Sequence, residues 1–192
     1  MTKILGVVGS PRKKGNTHIL VSTILEGAAA EGANTETLFL RKMKIRECDS
    51  CHACWEGKRC SRRDDMNEAY SLISESNAIV LGTPVYWYGP TALMEAFIDR
   101  FVYLNCSESR AQVRGKRAII VVPYEEKGPE AAELLVAFFE RSLAYLEMDL
   151  VGQILAPGVG RRGAILEREE LLARARDLGG TLARGNSGRR VA

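Results

Sequence analysis

Short apolar runs and longer stretches of helical spacing take turns along this chain. Lys3 to Gly9 (KILGVVG) is an apolar run closed by glycine, the pattern of a strand buried on both faces. Asn16 to Glu31 carries helical spacing, and Thr35 to Leu40 reads as a second strand. Arg41 to Arg63 has no period and reads as a loop, with Asp64 or Asp65 placed to cap a helix running through Glu75. A third strand over Ala78 to Gly82 stops at Thr83-Pro84. Thr91 to Leu104 is helical, Arg117 to Val122 a fourth strand, and Glu130 to Met148 a long amphipathic helix. Leu150 to Leu155 is a weaker fifth strand, and Glu167 to Ala183 a final helix. Strands that alternate with helices predict a parallel sheet covered on both faces. One domain is expected over 1–184, with a cysteine-rich loop at 41–63 and a flexible, polar tail at 185–192.

Such sheets bind ligands beyond the carboxyl ends of their strands, so the loops there carry the chemistry. After the first strand comes Gly9-Ser10-Pro11-Arg12-Lys13-Lys14-Gly15-Asn16-Thr17, then a helix. A helix N-terminus offers unpaired N–H groups and a positive dipole, an anion site. Ser10, Asn16 and Thr17 add donors, and Arg12 adds a bidentate cation. Within this loop neither the Walker pattern nor G-x-G-x-x-G is present, so a terminal monophosphate such as that of FMN suits it. A solvated surface turn is the competing reading. After the third strand, Pro84-Val85-Tyr86-Trp87-Tyr88-Gly89-Pro90 sets three aromatics between prolines. These could flank a planar ring or form a subunit interface.

Four of the five cysteines fall within Cys48-Asp-Ser-Cys51-His-Ala-Cys54-Trp-Glu-Gly-Lys-Arg-Cys60, a C-x2-C-x2-C-x5-C spacing. Iron–sulfur cubanes use four thiolates in compact runs, whereas structural zinc usually takes two separated knuckles. Cluster, zinc or no metal at all remain open on spacing alone, with the cluster favoured. Cys106, the fifth, reads as a small core residue. Between Arg41 and Arg63 there are eight Lys or Arg and three acids, a balance that would offset an anionic cluster or simply be solvated. Asp99-Arg100 reads as a structural charge pattern on its helix. Arg161 and Arg162, in a glycine-rich turn, could meet nicotinamide phosphates.

Composition narrows the classes. With 192 residues the chain can bury a full core, and a net charge of +3 is too small to argue for nucleic acid. No apolar run reaches membrane-spanning length, and no signal-peptide pattern precedes the first strand, so a cytoplasmic protein without a membrane partner is expected. No Ser/His/Asp or Cys/His set suggests hydrolysis.

GSPRKKGNT after the first strand resembles the FMN-phosphate loop of the NADPH-dependent FMN reductase branch of the flavodoxin-like superfamily. TPVYW, with the helix ending FIDRF, looks like that branch's isoalloxazine loop and packing helix. CDSCHACWEGKRC with Asp64-Asp65-Met66 is similar to the cysteine motif of iron–sulfur flavoproteins, archaeal and bacterial proteins that carry FMN and a [4Fe–4S] cluster. The resemblance implies a flavodoxin-like three-layer sandwich with a five-stranded parallel sheet of order 2-1-3-4-5. It implies phosphate on Ser10, Arg12, Asn16 and Thr17, the ring on Pro84, Val85, Tyr86 and Trp87, and a cluster on Cys48, Cys51, Cys54 and Cys60. A third flavin loop near 123–128 is implied without a named residue. The implied activity is NAD(P)H-dependent reduction of flavin, quinone or a similar small acceptor by a homodimer or homotetramer. The alternatives are an electron carrier fed by ferredoxin, and an FMN-binding protein whose cysteines hold zinc or nothing.

Overall fold

The computed structural model describes residues 1–185 of the chain, so most of the tail at 185–192 lies outside the described residues. Strands β1 (Lys3–Val8), β2 (Asn34–Phe39), β3 (Ala78–Gly82), β4 (Arg117–Pro123) and β5 (Asp149–Ala156) form one sheet of order β2-β1-β3-β4-β5. Every pairing is parallel. Helices α1 (Asn16–Ala30) and α7 (Glu169–Arg184) cover one face. The other carries α2 (Met66–Glu75), α3 (Ala92–Asp99) and α6 (Glu130–Tyr145), with the short α4 (Val102–Asn105) and α5 (Ser107–Arg110) beside them.

The period-2 geometry of a strand divides the central apolar runs between two cores. Leu5, Val7, Ile79, Leu81, Ile120 and Val122 point toward α2, α3 and α6. Ile4, Val8, Ala78, Val80, Ile119 and Val121 point toward α1 and α7. Beyond the first residues Lys3 and Arg117, the central strands therefore carry no polar positions, whereas the edge strand β2 (NTETLF) alternates exposed and covered residues. The weak apolar signal of β5 has the same cause: it is the opposite edge, and a register shift at Ala118/Ile119 bends it.

Two helices end earlier than their periodicity predicts. The helix expected over 91–104 breaks at Arg100, leaving α3 and α4 as separate pieces. Here the Tyr70 hydroxyl donates to the Arg100 carbonyl at 2.9 Å, and the Arg100 side chain turns inward instead of lying on the helix surface. The helix expected over 130–148 stops at Tyr145 in a Schellman arrangement. Met148 N–H bonds Leu143 O, Glu147 N–H bonds Ala144 O, and Glu147 takes the left-handed conformation with φ 57°. Arg110 and Arg114 hold that glutamate in place.

Candidate functional site

The strand order reverses between β1 and β3, and the loops after β1, β3, β4 and β5 meet there. They enclose a cleft of about 450 Å³, counted out to open solvent. Ser10, Arg12, Asn16 and Thr17 line one end and Pro84, Val85 and Tyr86 the other. Pro123, Tyr124 and Glu125 complete the wall with Val159 and Gly160.

Buried hydrogen bonds fix the first two loops to each other. Gly9 N–H donates to Gly82 O at 2.7 Å. The Thr91 hydroxyl donates to Gly9 O at 2.5 Å, while Thr91 N–H donates to Thr83 Oγ1 at 3.2 Å. Thr91 also caps α3 by accepting from Met94 N–H. The two helix N-termini at this edge therefore differ. That of α3 is closed by its own threonine, whereas α1 starts at Gly15 with no side-chain cap and no acid in its first turn. Its first N–H groups face the cleft end that holds Ser10 and Thr17, an arrangement that favours an anion.

The expected phosphate residues have different duties. Ser10 and Thr17 are buried at the loop base, and Ser10 Oγ accepts from Arg12 N–H. Arg12 reaches across the cleft mouth and donates to Gly160 O at 2.7 Å. Asn16 lines the cleft, yet its side chain is committed to the protein. Its amide N donates to Val159 O and Arg161 O, and its carbonyl accepts from Ile165 N–H. It pins the loop after β5 to the start of α1.

In the aromatic loop, Tyr86 and Gly89 exchange both backbone hydrogen bonds around a two-residue turn. Trp87 and Tyr88 occupy that turn with φ 50° and 62°, the primed geometry normally given to glycine or asparagine. Trp87 stands at the tip, 95% exposed, and lines a separate shallow hollow with Tyr88 and Glu126. Of the four residues expected around the ring, the structure brings Pro84, Val85 and Tyr86 into the cleft and leaves the Trp87 side chain outside it.

The cysteine loop is clamped at both ends by the start of α2. Asp65 Oδ2 accepts from Lys44 N–H, and Asp64 Oδ2 accepts from Arg46 N–H. Three left-handed residues, Ser50, His52 and Gly57, fold the span between into tight turns. Cys48, Cys51, Cys54 and Cys60 all line one hollow of about 850 Å³, counted out to open solvent, walled by Tyr70, Tyr103, Tyr145, Arg62 and Arg100. Among the described residues, no three His, Cys, Asp or Glu side chains already converge as a metal site. Cys106 is buried behind Cys54, with its Sγ directed at Val102 O. Burial, aided by the Cys54 thiol, pushes the Cys106 thiol up to about 12.

The model of the family "NADPH-dependent FMN reductase" matches residues 2–153 of this chain. The chain belongs to that family. It is therefore an oxidoreductase on a flavodoxin-like fold. An iron-sulfur flavoprotein of Archaeoglobus fulgidus is 32% identical over 183 residues, covering 94% of this chain and 79% of the relative. A putative NAD(P)H-dependent FMN-containing oxidoreductase of Bacillus subtilis is 25% identical over 177 residues, covering 90% and 94%. The fold recurs in an NAD(P)H:quinone oxidoreductase from Methanothermobacter marburgensis, with TM-score 0.72, 16% identity and coverage of 94% and 98%. A WrbA-like flavodoxin from Agrobacterium tumefaciens gives TM-score 0.64 at 16% identity, covering 96% of each chain. No helix among the described residues is long and apolar enough to cross a membrane.

Two features of the cleft escape sequence reasoning. Tyr124 and Glu125 lie on the loop after β4, where no individual residue stands out in the sequence. Val159 and Gly160 lie on the loop after β5, and the run Pro157-Gly158-Val159-Gly160 at a strand's carboxyl end is the signal that marks them. Arg161 pairs with Glu167 at 2.5 Å on the surface.

Proposed function

We propose that this chain binds FMN in the cleft between the loops after β1 and β3 and uses it to pass electrons from NAD(P)H to flavin, quinone or a similar small acceptor. The observation that carries this reading is the open N-terminus of α1, set with Ser10, Thr17 and Arg12 at one end of a cleft whose other end is Pro84, Val85, Tyr86 and Tyr124. Phosphate suits the first end and a planar ring the second. Arg12 would give up its bond to Gly160 O for the phosphate. When bound, FMN supplies hydride acceptance and electron release, and the protein contributes position and electrostatics. Purified apo protein should turn yellow on adding FMN and bind it with one-to-one stoichiometry by calorimetry.

The same reading places a [4Fe–4S] cluster on Cys48, Cys51, Cys54 and Cys60. The support is their shared hollow and the clamp that Asp64 and Asp65 put on the loop. Anaerobic reconstitution should give about four irons per chain. Cys51→Ser should lose iron and keep FMN, while Cys106→Ser should keep both. Stoichiometric zinc in place of iron rejects the cluster.

A second reading is an electron carrier that receives electrons from ferredoxin, favoured by the excess of basic residues at 41–63. Stopped-flow mixing separates the two. Fast FMN bleaching by NADPH or NADH that survives Cys51→Ser supports the reductase. Fast bleaching only by reduced ferredoxin, slowed by salt and dependent on the cysteines, supports the carrier. We further propose a homodimer or homotetramer built on the exposed Tyr86–Trp87–Tyr88 turn. A light-scattering mass of one chain at micromolar concentration overturns that association.

A further inference from the structure

Among the described residues, Arg100 is the largest fully buried side chain, with 1% relative exposure. It leaves the end of α3 and turns under the cysteine loop. One guanidinium nitrogen, Nη1, donates to Asp64 Oδ2 at 2.7 Å and to Arg46 O at 3.0 Å. The other, Nη2, donates to Cys60 Sγ at 3.1 Å. The remaining contacts to the motif's sulfurs differ in kind. Ser50 N–H lies 3.4 Å from Cys48 Sγ, and the Ser61 hydroxyl lies 3.0 Å from Cys51 Sγ. Among the described residues, Cys60 is thus the one cysteine of the motif that receives a cationic donor.

A buried ion pair is a weak device for stability, because desolvation offsets the attraction and apolar replacements often do as well. The Arg100–Asp64 pair explains how the charge is tolerated. It does not explain why a third donor is aimed at sulfur. Hydrogen bonds to the sulfurs of a thiolate-held iron–sulfur centre, and positive charge beside it, favour its more reduced, more negative state.

We propose that Arg100 is the positioning residue of the metal centre: it fixes the Cys60 sulfur and raises the reduction potential of a cluster held by Cys48, Cys51, Cys54 and Cys60. This rests on the cluster reading above. Four thiolates give an oxidised cubane a net charge of −2, and uptake of one electron makes it −3 with no proton required. A guanidinium stays charged throughout the physiological range, so its contribution does not titrate away. The planar fork also matters. Lysine has a charge but cannot hold Asp64, the Arg46 carbonyl and Cys60 in the same fixed geometry. The N-cap of α3 is Thr91, bonded to Gly9 O at the loop after β1, and its C-cap is Arg100, so one short helix links the supports of both sites.

The test uses the full chain reconstituted anaerobically as wild type, Arg100→Met and Arg100→Lys. Iron and FMN per chain are measured, and the midpoint potential is read by redox titration with electron paramagnetic resonance of the reduced centre. Arg100→Met should lower the midpoint by at least about 59 mV, a tenfold loss of electron affinity for a one-electron couple. Loss of iron in Arg100→Met with FMN retained equally supports the positioning role. Arg100→Lys, the safer variant for folding, should show a smaller fall in the same direction and decides the matter if Arg100→Met does not fold. An assembled cluster with an unshifted midpoint in Arg100→Lys and in any folded Arg100→Met overturns the proposal and leaves the cluster reading intact. Wild-type protein that takes up no iron overturns the cluster reading and this proposal with it.

Discussion

Thr91 offers a sharp test of how the cleft proposed for FMN is held, because one hydroxyl joins three parts of the structure. Thr91→Val keeps the shape and removes the hydroxyl. Its Oγ1 is the side-chain cap of α3, and losing such a cap costs about 1 kcal/mol. The same oxygen donates to Gly9 O at 2.5 Å in a buried setting, and leaving that carbonyl unpaired costs about 1–3 kcal/mol. Together the loss is about 2–4 kcal/mol. For a chain of this size that lowers Tm by roughly 4–16 °C. Thr91→Ser is the control: it keeps cap and donor and loses one methyl, about 0.8 kcal/mol. Urea unfolding and calorimetric melts of the three proteins give the stabilities. FMN titration should show weaker binding in Thr91→Val than in Thr91→Ser, since Gly9 opens the loop proposed to hold the phosphate. A difference between the two variants below about 0.5 kcal/mol would refute the reasoning, because surface-like substitutions already fall in that range.

Other outcomes follow from single contacts. Arg12→Ala should weaken FMN by about 1.5–3 kcal/mol, the range for a charged hydrogen bond, and leave riboflavin binding almost unchanged; equal losses for both flavins place Arg12 elsewhere. In Gly179→Ala the new Cβ would meet Ile24 O, a backbone atom of α1, at 1.9 Å, so the two helices must separate. Chemical denaturation should show a loss of about 3 kcal/mol, the upper end for overpacking, with no fall in FMN stoichiometry. Burial alone would raise the Asp64 carboxyl, but the Arg100 guanidinium and the Arg46 N–H outweigh it and hold the pKa below the ordinary 3.8. Because the folded value is depressed, the stabilisation is fully present above pH 3.8 and disappears as pH falls through the folded value. Acid unfolding of wild type should therefore be steeper below about pH 4 than that of Asp64→Asn, and identical slopes would exclude the link.

Much of this architecture is legible without coordinates. The order of strands and helices follows from local periodicity, which is a property of neighbouring residues. The anion site follows from a strand, a small polar turn and a helix start, again a local arrangement. The cysteine set is likewise a matter of spacing. Several interactions that complete the sites join residues far apart in the chain. Asn16 carries a sequence signature of phosphate binding, yet it ties down residues 159–165 because the sheet order brings β5's loop beside α1. Trp87 looks like a ring wall in sequence, yet a left-handed two-residue turn swings it into solvent. Arg100 reads in sequence only as part of a charge pattern on a helix that continues past it. Only when α2, the cysteine loop and α3 pack together do Asp64, the Arg46 carbonyl and Cys60 surround its guanidinium. Local sequence determined which elements form and which chemistry they carry. Tertiary packing decided which of those polar groups are already bonded to the protein and which still face the cleft, because a buried donor or acceptor takes whatever partner the fold delivers to it.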